Sequence, residues 1–314
     1  MDMADARADK LMDQATVRGT LRHDEPMARH VSWRAGGHAA TFFQPADLDD
    51  LRAFLRALPA ATPVLFVGLG SNLLVRDGGF GGAVVLTHHA LTGIAEEAAT
   101  ANALSVRAGA GVPSPHLARF VARHGGAGAE WLAGVPGTVG GALAMNAGCY
   151  GGETWAHVVR VETIDRTGEL HVRRPGDFDL GYRHVQPHAR TEEWFAAAVF
   201  RFERGDTSSA MERMKTLLAR RVASQPLNQP NAGSVFRNPP RDHAARLIEA
   251  CGLKGYSVGG AQVSPKHANF IVNAGGATAA QIEAVIDHVH ATVLAKHGVD
   301  LVREVRVVGE KRDG

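Results

Sequence analysis

Apolar runs of strand length alternate with helix-spaced apolar residues along the first two-thirds of this 314-residue chain. Residues 63–67, Pro-Val-Leu-Phe-Val, form a continuous apolar run that is typical of a short buried strand. Helices are predicted at 47–58 and 113–125, where apolar residues recur on one face. Further strands are predicted at 41–43, 73–75, 83–86, 103–109 and 194–202, with a hairpin over 158–173. This mixture predicts an α+β fold with short helices.

The pattern changes after residue 205. A charged helix with one apolar face is predicted at 206–222. Helices at 243–251 and 278–297 and strands near 261–263, 269–273 and 302–308 follow it. We therefore predict three parts: an N-terminal extension over 1–29, a domain of two subdomains over 30–204, and a C-terminal domain over 205–314. The first dozen or so residues of the extension are predicted to be frayed.

Two glycine-rich segments interrupt this pattern. The first glycine segment, residues 68–72, reads Gly-Leu-Gly-Ser-Asn, and the second, residues 134–148, contains five glycines and no charged residue. Such turns let the backbone approach a neighbour closely, and their N–H groups suit the oxygens of a diphosphate. For the first segment alone a plain hairpin connection is an equally good interpretation. Two such segments in one domain favour a nucleotide cofactor.

The familiar nucleotide-binding motifs do not fit these segments. Leu73 stands where the dinucleotide fingerprint needs its third glycine, and residues 134–141 lack the lysine of a P-loop. A Rossmann fold is therefore disfavoured. A formal net charge of +2 argues against a general nucleic-acid binder.

Other features favour a cytoplasmic protein. No apolar run is long enough to span a membrane, and the charged N-terminus lacks the apolar stretch of a secretion signal. The two cysteines, Cys149 and Cys251, have no CxxC spacing and are interpreted as reduced thiols. No motif indicates a metal site.

The motifs together resemble one family, the UDP-N-acetylenolpyruvoylglucosamine reductases (the MurB family), which are flavoenzymes of bacterial cell-wall precursor synthesis. The matching segments are 33–37, 68–75, 79–82, 133–141, 145–148, 181–183 (Gly-Tyr-Arg), 231–239 (Asn-Ala-Gly-Ser-Val-Phe-Arg-Asn-Pro) and 303–306. The resemblance implies an FAD-binding module of the vanillyl-alcohol-oxidase (PCMH) type followed by a C-terminal α+β substrate-binding domain. The chain is similar to the family's shorter form, because residues 185–232 lack the tyrosine-bearing loop of the long form.

The resemblance also implies a reaction. In that reaction, non-covalently bound FAD takes hydride from NADPH and reduces the enolpyruvyl group of UDP-N-acetylglucosamine enolpyruvate to give UDP-N-acetylmuramate. Arg183 would bind the carboxylate, Ser234 would donate a proton, and Glu304 would stabilise charge or deliver a proton. From the residues alone, Arg183 is a surface salt-bridge partner, Ser234 a turn serine, and Glu304 part of a solvated strand face shared with Arg306.

Binding residues follow from the same matches. Arg237, Asn238 and Lys266 are predicted to bind substrate, although a lysine there is otherwise a solvated loop charge. The His88-His89 pair lies outside the matching segments and is interpreted as loop histidines rather than a covalent flavin attachment. The residues predicted to bind the cofactor are Gly68, Gly70, Ser71, Asn72, Gly134, Pro136, Gly137, Thr138, Gly140, Gly141, Asn146 and Gly148.

Two alternatives stay open. Another flavin oxidase or dehydrogenase of the same cofactor fold, acting on an alcohol or sugar acid, would explain the first two-thirds equally well. A non-catalytic nucleotide-sugar binding protein would be colourless when purified. The expected partners are the UDP-sugar substrate and NADPH, with no nucleic acid or membrane, and the family suggests a monomer.

Overall fold

The structure is a computed structural model that describes residues 17–312. The predicted fraying of the first dozen residues lies outside this range. The α-helices are α1 (Leu48–Ala57), α2 (Ser114–Arg123), α3 (Val139–Met145), α4 (Thr207–Ser224), α5 (Ala244–Ala250) and α6 (Ala279–His297). The strands are β1 (Thr20–Pro26), β2 (His38–Gln44), β3 (Val64–Val67), β4 (Leu73–Val75), β5 (Phe80–Leu86), β6 (Ile94–Ala99), β7 (Ala103–Gly109), β8 (Gly126–Ala127), β9 (Gly148–Cys149), β10 (Gly152–Glu153), β11 (Val158–Asp165), β12 (Leu170–Arg173), β13 (Phe178–Gly181), β14 (His184–Pro187), β15 (Glu193–Arg204), β16 (Ser257–Val258), β17 (Ala261–Val263), β18 (Ile271–Asn273) and β19 (Arg306–Val308). The predicted α+β class is confirmed.

The chain divides into two compact units. The first comprises Thr41–Gly68, Gly82–Lys215 and the described residues before Asp24. It holds one sheet in the order β12-β11-β15-β7-β6. It also holds β3 and those parts of β1, β2 and β5 that lie within these ranges, and the four strands pair in the order β1-β2-β5-β3. Residues 196–200 of β15 are all buried, which means that both faces of this strand are covered.

Helix α1 of the first unit forms where the sequence supplies both a capping residue and an apolar face. The Asp47 carboxylate accepts a hydrogen bond from the Asp50 N–H at 2.9 Å and so caps the helix. Its apolar face, with Leu51 and Phe54, packs into a buried cluster that includes Ala83 of β5.

The second unit comprises Asp24–Ala40, Leu69–Gly81 and the described residues from Thr216 onward. Its sheet runs β16-β17-β18, and β19 pairs in parallel with β4. Helix α6 begins after Thr278, whose hydroxyl accepts from the Gln281 N–H at 3.2 Å, and ends at Gly298 in the left-handed region. Its buried face packs with Trp33 and α5 in one apolar cluster.

Two expectations about secondary structure are wrong, and one hairpin was not expected. The second glycine segment is not one continuous loop, because it contains α3, which begins after its capping residue Thr138. The final strand is Arg306–Val308 and not 302–308, so Glu304 lies outside it and the strand alternation with Arg306 does not apply. The hairpin of β13 and β14 was not predicted. Its strands have only four residues each, and the alternation of Phe178 and Leu180 with polar residues is too short to predict a strand by itself.

Candidate active site

The glycines of the second glycine segment serve two different purposes. A side chain at Gly140 would meet Cβ of Ala110 at 2.9 Å, and one at Gly134 would meet Sγ of Cys149 at 2.7 Å. A side chain at Gly68, in the first glycine segment, would meet Oγ1 of Thr138 at 2.3 Å. At these positions glycine permits close packing within the protein itself. Gly141 differs, because a side chain there would meet no heavy atom closer than 3.8 Å. The open backbone of this segment therefore lies at Gly141, beside the exposed Pro136 and the half-buried Gly137.

The rest of the first glycine segment belongs to the second unit. Gly70 is buried at φ +60°, and a side chain there would lie 2.2 Å from the His30 carbonyl oxygen, so only glycine fits. Ser71 is half-buried beside it. The Asn72 side-chain amide donates to the Glu304 carbonyl at 3.1 Å, and its own carbonyl accepts from the Arg306 N–H at 3.0 Å. A predicted cofactor residue is thus hydrogen-bonded to a predicted catalytic residue.

Arg183 lies in the turn of the β13–β14 hairpin, in the first unit. Gly181 pairs with His184, so Tyr182 and Arg183 form a two-residue connection. Arg183 has φ +53°, an unusual conformation for a long side chain and one found where surrounding contacts enforce it. Its guanidinium donates to the carbonyls of Asn146 at 3.1 Å and Gly148 at 2.8 Å. These two bonds hold the positive charge against the second glycine segment.

Asn146 joins the hairpin to that segment. It ends α3 in the left-handed region at φ +40°, which asparagine tolerates better than most residues. Its side chain is 4% exposed, donates to the Gly181 carbonyl at 3.0 Å, and accepts from the Trp155 N–H at 3.2 Å. Asn146 therefore fixes the backbone on which Arg183 rests.

Ser234 and Glu304 lie on two chain segments that pair within the second unit. We call residues 234–237 the serine segment. The Glu304 N–H donates to the Val235 carbonyl at 2.8 Å, and Phe236 forms a β-bridge with Arg303. The structure therefore brings the segments of these two predicted catalytic residues together. Arg183 belongs to the other unit, so the convergence of all three side chains stays a prediction.

Asn269 is a contributor that the sequence reasoning missed. Its side chain and carbonyl bind the backbone of Val235 and Phe236 on the edge of the serine segment opposite Glu304. Asn231 makes a local turn, with its side-chain oxygen accepting from the Gly233 N–H at 2.9 Å. The Asn-x-Gly spacing at 231–233 could have predicted the turn at Asn231. No local sequence feature predicts the contacts of Asn269.

The predicted substrate residues have different surroundings. Within residues 17–312, Nε of Arg237 is buried without a hydrogen-bond partner, a situation that favours a ligand with an acceptor group. Asn238 is exposed, and its side-chain oxygen accepts from the Ala244 N–H at 3.1 Å at the start of α5. The Lys266 ammonium donates to the Val222 carbonyl at 2.6 Å near the end of α4. Burial lowers the pKa of its neighbour His267, which keeps that imidazole neutral at neutral pH.

No cluster of three or more His, Cys, Asp or Glu side chains within 17–312 is arranged to hold a metal ion. None of the helices in that range combines the length and apolar character needed to cross a membrane.

Comparison with known proteins gives consistent matches. Residues 39–173 match the family profile of an FAD binding domain, and residues 225–308 match the C-terminal domain of UDP-N-acetylenolpyruvoylglucosamine reductase. Among curated relatives, the UDP-N-acetylenolpyruvoylglucosamine reductase of Thiobacillus denitrificans is 56% identical over 94% of each chain. That of Nitrosospira multiformis is 54% identical over 98% of this chain and 94% of its own. The crystal structure of the Thermus caldophilus enzyme superimposes with a TM-score of 0.75 at 30% identity, covering 93% of this chain and 99% of that one.

Proposed function

Because the chain belongs to the UDP-N-acetylenolpyruvoylglucosamine reductase family, we propose that it reduces the enolpyruvyl group of UDP-N-acetylglucosamine enolpyruvate to UDP-N-acetylmuramate with NADPH. It is an FAD-dependent oxidoreductase of peptidoglycan precursor synthesis. The observation that carries the proposed mechanism is the hydrogen-bonded pairing of the serine segment with residues 302–305. This pairing holds a hydroxyl residue and a carboxylate residue on neighbouring segments.

The residues present fit a flavin dinucleotide. Gly141 leaves space for a ligand that a side chain would fill, and Pro136, Gly137 and Ser71 are accessible beside packed glycines. The residues that would hold the cofactor are Gly68, Gly70, Ser71, Asn72, Gly134, Pro136, Gly137, Thr138, Gly140, Gly141, Asn146 and Gly148. When bound, FAD would supply the redox chemistry that couples oxidation of NADPH to reduction of the enolpyruvyl double bond.

The chain's own groups handle charge and the proton. Addition of hydride to the β-carbon pushes negative charge from the α-carbon into the adjoining carboxylate. Arg183 stabilises that charge with a fixed guanidinium, which two backbone carbonyls hold in place. The Ser234 hydroxyl donates the proton that the α-carbon needs, and Glu304 assists charge stabilisation or proton delivery.

Binding of the substrate falls to three further residues. Arg237, with its buried unpartnered Nε, suits the anionic portion of a UDP-sugar. Asn238 adjoins it on the same segment, and Lys266 contributes a positive charge. We also propose a cofactor domain over 30–204, a substrate domain over 205–314, and a monomeric protein of the cytoplasm.

The experiment that tests this function uses the colour of the purified protein. A flavoenzyme is yellow, whereas a non-catalytic nucleotide-sugar binder is colourless. NADPH should bleach the flavin, and the UDP-enolpyruvyl sugar should restore its absorbance. Bleaching by an alcohol or sugar acid, with no recovery on addition of the UDP-enolpyruvyl sugar, would replace the proposal with the alternative oxidase.

Ser234→Ala tests the assignment of the proton donor. Bleaching by NADPH should be unchanged, while reoxidation by the substrate should slow by about a hundredfold or more. Ser257→Ala is the matched control, since Ser257 is an exposed serine of β16 in the same unit. Normal reoxidation in Ser234→Ala would remove this hydroxyl from the mechanism.

A further inference from the structure

The serine segment is hydrogen-bonded along both of its edges. On one edge, the Arg237 N–H donates to the Val302 carbonyl at 2.9 Å and the Glu304 N–H donates to the Val235 carbonyl at 2.8 Å. On the other edge of the serine segment lies Asn269. Its carbonyl accepts from the Val235 N–H at 2.9 Å. Its side chain accepts from the Phe236 N–H at 3.0 Å and donates to the Phe236 carbonyl at 2.8 Å.

The amide of Asn269 thus takes the place of a neighbouring β-strand. A primary amide presents one acceptor and two donors, and here an acceptor and a donor face the N–H and C=O of one residue. Asn269 is 4% exposed, and Phe236 is also buried, so water does not readily replace either bond. Both backbone groups of Phe236 therefore depend on this one side chain.

We infer that Asn269 is a positioning residue for Ser234. The inference rests on the proposed function, because it assumes that Ser234 donates the proton. The chain bends at Val235, and the serine segment pairs with residues 302–305 only while the backbone of Val235 and Phe236 keeps this conformation. Asn269 holds it there from the opposite side. Loss of its two side-chain bonds would let this backbone rotate and move the hydroxyl relative to the carboxylate. Displacement by about 1 Å can reduce a catalytic rate by about a hundredfold.

Two substitutions of Asn269 separate positioning from folding. Asn269→Ala removes both side-chain bonds. Asn269→Asp keeps the acceptor for the Phe236 N–H but, when ionised, turns a second acceptor toward the Phe236 carbonyl. When protonated, that carboxyl can donate again, so Asn269→Asp should recover activity as the pH falls. If Asn269→Ala does not fold, the aspartate variant carries the test.

Asn273→Ala is the matched control in the same unit. Asn273 ends β18, and its side chain makes three bonds to backbone groups, one more than that of Asn269; the groups belong to Trp33, Gly275 and Ala277. It touches no residue of the serine segment in these bonds. This variant should lose comparable stability and keep a normal reaction with substrate.

The assay is rapid mixing of the flavin-loaded enzymes, with thermal unfolding measured in parallel. In both Asn269 variants, flavin reduction by NADPH should stay within about twofold of wild type, and reoxidation by the UDP-enolpyruvyl sugar should slow by about tenfold to a hundredfold. Flavin reoxidation in the double variant Asn269→Asp/Ser234→Ala should be no slower than in Ser234→Ala alone. Once the Ser234 hydroxyl is gone, its position no longer affects the rate.

The outcomes are distinguishable. Reoxidation at the wild-type rate in both Asn269 variants, or equal slowing in Asn273→Ala, overturns the positioning role. Additive slowing in the double variant overturns it as well. If the wild-type flavin is not reoxidised by the UDP-enolpyruvyl sugar at all, the proposed function itself fails before Asn269 is in question.

Discussion

Replacement of Asn146 tests whether the backbone beneath Arg183 is held by a side-chain amide. Two variants are informative together. Asn146→Gly removes the amide but tolerates the left-handed backbone at φ +40°, whereas Asn146→Ala removes the amide and strains that backbone. Comparing the two variants therefore separates the contribution of the Asn146 hydrogen bonds to stability from the contribution of its left-handed backbone conformation.

The structure sets the size of each effect. Loss of the amide leaves the Gly181 carbonyl and the buried Trp155 N–H without their partner, at about 1–3 kcal/mol for each buried group. Partial relaxation makes about 2–4 kcal/mol the expected cost of Asn146→Gly. Alanine in the left-handed region adds about 1–2 kcal/mol. The greater unfolded-state entropy of glycine offsets about 0.5–1 kcal/mol of that difference. Asn146→Ala should therefore be the less stable variant by up to about 1.5 kcal/mol.

Urea unfolding of the flavin-loaded proteins, followed by circular dichroism, measures both differences. The midpoints should fall in the order wild type, Asn146→Gly, Asn146→Ala, with unchanged slopes. Because the Asn146 carbonyl also accepts from Arg183, KM for the UDP-enolpyruvyl sugar should rise more than KM for NADPH. Equal midpoints for Asn146→Gly and wild type would refute the hydrogen-bond reasoning, and a more stable alanine variant would refute the conformational reasoning.

Three further predictions concern other contacts. The Arg76 guanidinium lowers the pKa of Glu283, so this pair stabilises the fold above the unfolded carboxyl pKa of about 4.3 and loses its effect as the pH falls through the lower folded value. Glu283→Gln should therefore cost about 1–3 kcal/mol at pH 7, and its thermal midpoint should approach that of wild type as the pH falls below 4.3. Gly68→Ala should push its new methyl group against Thr138 and weaken FAD retention, measured by flavin fluorescence on dilution. Arg183→Lys keeps the charge but cannot place two donors in a fork, so it should lower kcat/KM for the UDP-enolpyruvyl sugar by about tenfold or more and leave reduction by NADPH unchanged.

Sequence reasoning succeeded where one chemical property decides the outcome. The helix at α1 follows from apolar spacing and an aspartate cap, and α6 follows from Thr278 and the glycine after it. The composition of the glycine segments predicted a close approach of the backbone, but it did not reveal which glycines pack and which face open space. Gly140 lies against Ala110 while Gly141 does not, although the two are neighbours of the same type. That difference depends on tertiary packing, and residue type alone does not encode it.

Glu304 shows why the placement of catalytic groups exceeds what a periodic pattern can predict. The alternation of residues 302–308 suggested one strand, yet two different partners divide it. Residues 306–308 pair with β4, while the backbone at 302–305 bonds to the serine segment. The amides that hold this arrangement act across 232 residues for Asn72 and Glu304 and across 33 residues for Asn269 and Phe236. An asparagine carries no periodic signal, so its partner cannot be inferred from spacing. Ser234 and Glu304 were therefore predicted from their motifs and stay predictions, whereas the contacts of Asn72 and Asn269 to their segments are seen only in the folded backbone.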